Sequence, residues 1–317
     1  MTEPARHGVA RRTVVVGVLA AVLPVAGCGI RLEDDAPEVP LLPTRTPVPA
    51  EAELVALTRG TEHLAQLAAT VPGALAADLA ELHRRQHTVL RSSLVSAGVP
   101  AKLLDAGPMP SVTTSGTPPA GDATSSPAGD RVALAAAEAS SASTAATFAG
   151  VGADLHATVA ALHAQRYAAA SLLTGRPPTV ALDVVGGPPV AALATATAAA
   201  AYLLEVVAAR STGAQETRAR STLAALRALQ VDQEAGGARA DAALGHPLPF
   251  PVEDLADAAR LARSSLTALR AGYGAYLGPL VAADPGAGLA AATRWLGTVE
   301  VEAHRWGVEL VPFPGLA

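Results

Sequence analysis

Histidine and carboxylate side chains at helical spacing are the residues of this chain that could do chemistry. His83 and His87 lie four residues apart, and His156 and His163 lie seven apart, so each pair shares one face of a helix. Glu138 lies on a third segment, between the two pairs. Imidazole and carboxylate groups that converge from several helices can bind zinc, copper or iron. The spacing therefore predicts, as one alternative, a metal site formed by these five residues.

The same residues also have an interpretation without a metal. Arg84 and Arg85 stand beside the first histidine pair, which is typical of a solvated helix edge. His156 and His163 could equally form hydrogen bonds inside a helical bundle, as most buried polar groups do. Both interpretations stay open on the sequence alone.

A ferritin-like di-metal centre would need a more specific signal, which the sequence lacks. Such centres draw one Glu from each of two helices and a Glu-x-x-His pair from each of the other two. No Glu in the chain is followed by His three residues later. Glu300, Glu302 and His304 have no evident partners on other segments and indicate a solvated helix end. The expected cofactor content is therefore none, with a metal at the histidine set as the alternative.

Other catalytic and binding motifs are also missing from the sequence. There is no Gly-x-Ser-x-Gly elbow and no Walker phosphate loop. The formal net charge is −5 and aromatic residues make up 3% of the chain, which argues against a nucleic-acid partner. We therefore expect a binding or scaffold protein rather than an enzyme.

The first 27 residues have the layout of a secretory signal peptide. Arg11 and Arg12 precede an apolar stretch at residues 13–25, which is too short to span a bilayer stably. Two small residues then precede Cys28, the only cysteine of the chain. This ending resembles the lipobox of bacterial lipoproteins, in which the cysteine thiol receives a diacylglyceryl group. An uncleaved transmembrane helix is the alternative, and the arginine pair leaves export by the twin-arginine route open.

Lipidation of Cys28 would place the protein at the cell membrane, on its extracytoplasmic face. Acylation would also consume a lone exported thiol that has no disulfide partner. Two acyl chains hold a protein on a bilayer far better than one. Five prolines follow within residues 28–49 and predict an extended tether. The expected partners are the membrane, through the lipid anchor, and an envelope protein or lipid.

The fold class predicted after the tether is all-α. Hydrophobic residues make up 50% of the chain, and alanine and leucine, which favour helices, dominate them. Apolar positions recur at three- and four-residue steps, with Pro and Gly at the breaks. The predicted helices span residues 50–71, 75–96, 131–148, 153–174, 190–210, 215–244, 252–281 and 288–309.

Two segments rich in Pro and Gly divide these helices. Residues 106–130 have no apolar periodicity and predict a disordered loop. Residues 175–189 predict a domain boundary with four helices on either side. The count predicts two four-helix bundles in tandem, at residues 50–180 and 186–317. A single array of eight helices is the alternative.

Two short motifs of the C-terminal half carry a resemblance to a known family. Leu-Pro-Phe-Pro-Val at residues 248–252 and Phe-Pro-Gly-Leu at residues 313–316 resemble an actinobacterial ferritin-like domain of unknown function. That domain occurs in lipoproteins and other envelope proteins. The resemblance covers about residues 190–317, and residues 75–90 resemble the upstream half of such lipoproteins more loosely. It implies ferritin-like four-helix bundles and no established reaction.

The sequence as a whole thus predicts a membrane-anchored lipoprotein of the cell envelope. Its ferritin-like helical body lacks the Glu-x-x-His motif and is expected to bind or scaffold. A metal-binding or oxidase-like protein that uses the histidines of the first bundle is the alternative.

Overall fold

The computed structural model describes residues 45–105, 127–240 and 245–316, and all regular secondary structure there is helical. The all-α class is thus confirmed. The predicted signal peptide, Cys28, the predicted tether up to residue 44 and residues 106–126 of the predicted loop lie outside the described residues. The α-helices are α1 (Glu51–Thr70), α2 (Ala74–Ser96), α3 (Ala101–Leu104), α4 (Pro127–Ser143), α5 (His156–Thr174), α6 (Pro188–Ala209), α7 (Gly213–Glu234), α8 (Leu255–Ala283) and α9 (Pro285–Arg305).

Helix boundaries differ from the predicted ones where local backbone chemistry decides them. Helix α4 begins at Pro127, so residues 127–130 are helical rather than part of the predicted loop. Proline fits the first turn of a helix because its missing N–H has no partner there. Helix α7 ends at Glu234, ten residues early, and Gly237 follows with a φ of 78°. A left-handed residue ends a helix, and glycine adopts it without steric cost.

The last two helices begin with aspartate caps. The side chain of Asp254 accepts a hydrogen bond from the backbone N–H of Asp257 at the start of α8. Asp284 does the same for the N–H of Ala287 at the start of α9, and Pro285 occupies the first turn. Each cap satisfies a donor that the helix itself cannot, which stabilises it by about 1 kcal/mol.

Helices α5 and α9 pack against each other at the centre of the molecule. Helix α5 is apolar or small on nearly all sides and buries both faces. Gly297 of α9 allows the close approach, because a Cβ there would lie 2.6 Å from Tyr167 Cδ1 and 2.9 Å from the carbonyl oxygen of Ala164. One hydrophobic cluster runs from Leu54 to Trp306 across this contact.

This shared core bears on the predicted division into two bundles. Helices α1, α2, α4 and α5 contact one another, and so do α6 to α9, which matches the two predicted groups of four. However, residues 45–317 form one compact unit, and α5 packs on α8 and α9. Two separate tandem bundles are therefore not confirmed.

The C-terminal tail contacts both halves of the molecule. The first half comprises α1 to α5, and the second half comprises α6 to α9. The side-chain amide nitrogen of Gln86, on α2, donates to the carbonyl oxygen of Pro312 at 2.5 Å. Gly315 has a φ of 79° and its backbone lies directly against Gly274 of α8. A side chain at either glycine would collide with the backbone of the other, so the Pro-Gly pair of the C-terminal motif has a packing role.

Among the described residues, one helix is long and apolar enough to cross a membrane by length and composition. Helix α6 has a window of mean hydropathy 1.8, and 44% of that window is buried. The helix packs against α7 and α8, as the core helix of a globular domain does.

Candidate functional site: a buried His-Glu-Arg network

A polar network fills the core of the first half, where α1, α2, α4 and α5 meet. Each of these helices contributes a buried polar side chain whose residue is at most 1% exposed. These side chains are Thr61 of α1, His83 and Gln86 of α2, Glu138 of α4 and Arg166 of α5. Burying so many polar groups is costly unless each finds a partner.

Arg166 lies at the centre of the network. Its Nη1 donates to His83 Nδ1 at 2.5 Å and lies 3.5 Å from Glu138 Oε2. Its Nη2 donates to the hydroxyl of Thr61 at 3.0 Å. Because Nδ1 of His83 accepts, the proton of the imidazole sits on Nε2, which lies 2.6 Å from Glu138 Oε1 and donates to it.

The directions of the pKa shifts indicate which groups of this network are charged. Burial lowers the pKa of His83, and the positive charge of Arg166 lowers it further, so the imidazole is neutral near pH 7. Burial alone would raise the pKa of Glu138, but His83 and Arg166 outweigh it and lower that pKa. The network therefore holds a guanidinium and a carboxylate joined through a neutral imidazole.

Two glutamines extend the network toward the C-terminal tail. The amide nitrogen of Gln86 that donates to Pro312 also lies 3.3 Å from the side-chain oxygen of Gln165. Gln165 is fully buried, and its own amide nitrogen has no hydrogen-bond partner among the described residues. The network thus reaches from α1 to the tail.

The histidines of the sequence-predicted metal set do not converge. His87 is half-buried and faces α1, with its Nε2 3.9 Å from Glu62 Oε2. His156 Nε2 donates to the carbonyl oxygen of Val151 at 3.1 Å, at the start of α5. His163 Nδ1 donates to the carbonyl oxygen of Ser141 at 2.9 Å.

Burial lowers the pKa of His163 to about 3, and the charge of Arg166 contributes. His83 and Glu138 are the two members of the predicted set that meet directly. No group of three or more His, Cys, Asp or Glu side chains in the described part of the chain is placed to hold a metal ion. The five-residue constellation is therefore not assembled, because adjacent turns of α2 and α5 aim their histidines at different neighbours.

Two sequence-based expectations about solvation were wrong. His83 is fully buried although two arginines follow it, because α2 turns that one side chain inward. Glu300 and Glu302 are 1% and 3% exposed rather than solvated. Burial raises the pKa of Glu300 to about 7, against the opposing charge of Arg270 at 3.5 Å. Thr222 donates its hydroxyl to Glu302 Oε2 at 2.7 Å.

Arg166 is absent from the site residues predicted from the sequence, although one signal pointed to it. Arg166 is the only Lys, Arg, Asp or Glu in α5, a helix made mostly of alanine and leucine. A lone charged residue in a helix that is apolar on all sides must be buried, and a buried charge needs a partner of opposite sign. Glu138 and His83 are those partners, but the pairing depends on tertiary structure.

Comparisons with known proteins add no family to this picture. No protein-family model, no curated protein and no solved structure matches the chain. The ferritin-like resemblance of the two C-terminal motifs therefore stays a prediction.

Proposed function

We propose that this protein is a lipid-anchored protein of the cell envelope whose helical body binds or scaffolds without catalysing a reaction. The anchor rests on the signal-peptide layout and on Cys28 as the single cysteine. The extracytoplasmic membrane surface is then its location, and an envelope protein or lipid is its partner. No nucleic acid is involved, since the chain is acidic overall.

The observation that carries the non-catalytic part is the position of Arg166. In ferritin-like proteins, side chains from four helices point inward to hold two metal ions. Here four helices also point polar side chains inward, but a guanidinium is at their centre, within 3.5 Å of Glu138. An arginine side chain stays protonated at any physiological pH, so it repels a metal cation at that place.

We further propose that each half is a ferritin-like four-helix bundle, although the two share a core. Within each predicted group of four, neighbouring helices contact one another, while α5 also packs on α8 and α9. In the first half, His83 and Gln86 are three residues apart, and so are His163 and Arg166. This is the spacing of the two Glu-x-x-His pairs in a di-metal bundle, with different residue types. The spacing supports a common architecture that no longer has a metal-binding set.

Native purification from membranes tests this proposal. We expect a diacylglyceryl-modified Cys28 by mass spectrometry and less than about 0.1 metal ion per chain by elemental analysis. A Cys28→Ser variant should leave the membrane fraction, because the anchor thiol is lost. One or two tightly bound metal ions per chain, or unchanged fractionation of the Cys28→Ser variant, would contradict the proposal.

A metal-binding function of the first half is the second candidate. It is favoured by the direct His83–Glu138 contact and by His163, whose buried Nε2 has no hydrogen-bond partner among the described residues. This function requires Arg166 to leave the centre of the network. It predicts that iron, zinc or copper raises the melting temperature, and that His83→Ala with His163→Ala abolishes the rise. An unchanged melting temperature across all three metals contradicts it.

A further inference from the structure

A cleft opens from the surface to the His-Glu-Arg network. It lies between α1, the C-terminal end of α4 and the 3₁₀ turn at Ala145–Gly150, and its volume is about 460 Å³. Leu57, Leu64, Ala137 and Phe148 form apolar walls, and Thr61 and Arg166 form the inner end. The volume lies in the range of small-molecule sites. We call it the Arg166 cleft.

The guanidinium of Arg166, which lies at the buried inner end of the cleft, has a donor without a partner among the described residues. Nη1 contacts His83 and Glu138 on one side, while Nη2 donates to Thr61, which lines the cleft. Nε shares an edge with Nη2, and it is buried without a hydrogen-bond partner among the described residues. A buried donor without an acceptor costs about 1–3 kcal/mol, which an acceptor in the cleft would relieve.

The edge formed by Nε and Nη2 has a known chemical preference. Two parallel N–H groups of a guanidinium match the two oxygens of a carboxylate. Glu138 already takes the opposite side of the same guanidinium, and Glu53 stands at the mouth of the cleft. These two negative charges make a second charge on the ligand unfavourable. The site therefore fits a group with one negative charge, and the walls fit an apolar body.

We propose that the Arg166 cleft binds one molecule of an apolar monocarboxylate, of the medium-chain fatty-acid class, with its carboxylate on the Nε–Nη2 edge of Arg166. This inference rests on the proposed binding function and names the ligand class of that function. The hydroxyl of Thr61, which donates to the carbonyl oxygen of Leu57 in the free protein, redirects its proton to the ligand carboxylate. The alkyl chain lies against Leu57, Leu64 and Phe148.

Calorimetric titration of the full-length chain in phosphatidylcholine nanodiscs tests the proposal. Sodium octanoate is the probe, empty nanodiscs give the baseline, and octylammonium chloride is the probe of equal length and opposite charge. We expect octanoate to bind saturably at one molecule per chain. We expect octylammonium to show no saturable binding, because Arg166 repels it.

Variants that close the cleft keep the test independent of folding. Gly60 lies exposed at the cleft, and a side chain built there meets nothing within 4 Å. Gly60→Phe should fill the mouth and weaken octanoate binding at least about tenfold, or 1.4 kcal/mol. Ala52→Phe adds the same side chain at an exposed position of α1 outside the cleft and should leave the affinity unchanged.

A matched threonine pair tests the inner end of the cleft. Thr58 and Thr61 are both buried and both donate to a carbonyl one turn earlier, but Thr61 alone of the two contacts Arg166 among the described contacts. Thr61→Val should weaken octanoate binding, and Thr58→Val should not.

Three outcomes overturn the proposal: no saturable octanoate binding, equal binding of octylammonium, or undiminished binding by Gly60→Phe. Absent binding would mean that water alone satisfies Nε of Arg166. If octanoate fails while the metal-free protein still crosslinks to one envelope partner, the cleft proposal falls and the proposed function stands. If the purified protein contains bound metal and does not bind octanoate, both the cleft proposal and the proposed function are wrong.

Discussion

The two halves of the molecule bury polar side chains in different chemical forms. In the first half the buried centre is ionic, with Arg166 and Glu138 joined through His83. The second half has a neutral network, in which the hydroxyl of Tyr273 lies 2.9 Å from that of Thr197 and accepts from Gln233 at 2.5 Å. Its buried carboxylates, Glu300 and Glu302, lie apart from this network and face the more exposed Arg270 and Arg305. Burial raises the pKa of Tyr273 to about 12, so the phenol keeps its proton.

This difference indicates which half has kept a polar centre for a reason other than stability. Buried ion pairs are weak contributors to stability, since removing two charges from water costs about as much as their attraction returns. A neutral hydrogen-bonded network avoids the cost of removing two charges from water. The ionic centre also opens onto the Arg166 cleft. The first half is therefore where we expect ligand chemistry, and the second half is where we expect a structural scaffold.

The largest expected effect comes from removing the cation of the ionic centre. Arg166→Met leaves Glu138 buried without a positive partner and should lower the free energy of unfolding by about 3–5 kcal/mol. Urea denaturation followed by circular dichroism measures this loss. Combining Arg166→Met with Glu138→Gln removes both charges and should recover most of it.

An exposed ion pair supplies the control for that experiment. Arg91 and Asp105 are 2.7 Å apart with side chains 38% and 49% exposed. Arg91→Met should change the free energy of unfolding by less than about 1 kcal/mol. A loss of similar size in the two single variants would mean that the first half does not depend on a buried charge pair, and the contrast between the halves would disappear.

The next effect is a pH dependence that belongs to the second half. The pKa of Glu300 is raised to about 7 in the folded chain, so the folded state holds this proton more tightly than the unfolded state does. Its contribution is fully present below the unfolded pKa, near 4.5, and is lost as pH rises toward 7. The free energy of unfolding of the wild type should therefore fall by about 2–3 kcal/mol between pH 4.5 and 7, and this fall should be absent from Glu300→Gln.

Denaturation at several pH values measures that difference between wild type and Glu300→Gln. Glu205→Gln changes a carboxylate that pairs with Arg227 on the surface, and it should reproduce the wild-type profile. Parallel profiles of wild type and Glu300→Gln would show that the proton of Glu300 does not contribute to the stability of the second half.

A smaller effect should come from the contact between the halves. Gly297→Ala places a methyl group against Tyr167 and the backbone of Ala164, and overpacking of this kind costs about 1–3 kcal/mol. Gly60→Ala is the control, because the same change in α1 meets nothing within 4 Å and should stabilise by about 0.5–1 kcal/mol. If Gly297→Ala also stabilises, the α5–α9 contact is looser than the structure shows.

The smallest effect concerns the neutral network. Tyr273→Phe removes one hydroxyl and leaves Thr197 and Gln233 without it, which should cost about 1–2 kcal/mol. Tyr276→Phe, at a side chain that is 39% exposed, should cost less than about 0.5 kcal/mol. Thermal denaturation resolves both. If Tyr273→Phe and Arg166→Met lower the free energy of unfolding equally, the two centres do not differ in their contribution to stability.

Much of the secondary structure could be predicted from the sequence, because local signals determine it. The stripe of Leu54, Leu57 and Leu64 and the Pro-Gly break at residues 72–73 predict α1 and α2 to within one residue at each end. The separation of the halves could not be predicted in this way. Helix α5 is apolar or small on nearly all sides, so its sequence does not indicate which helix packs against which of its faces.

The candidate site was partly predictable for a similar reason. The sequence placed His83 and Glu138 in one predicted set of metal ligands, and in the structure these two side chains meet in a direct hydrogen bond. The spacing could not choose between the faces of α2, so the placement of His83 in the core and of His87 beside Glu62 of α1 could not be distinguished. The decisive partner, Arg166, is 83 residues from His83 in the sequence, and no local pattern encodes that pairing.

The tail contact has a consequence for biosynthesis. Gln86 obtains its acceptor from Pro312, 226 residues later in the chain, and Gly315 completes the packing of Gly274. The first half thus cannot reach its final hydrogen bonding before residues 312–315 have been synthesised and are free to pack. Deleting residues 312–316 should therefore slow maturation of a region more than 200 residues earlier in the chain.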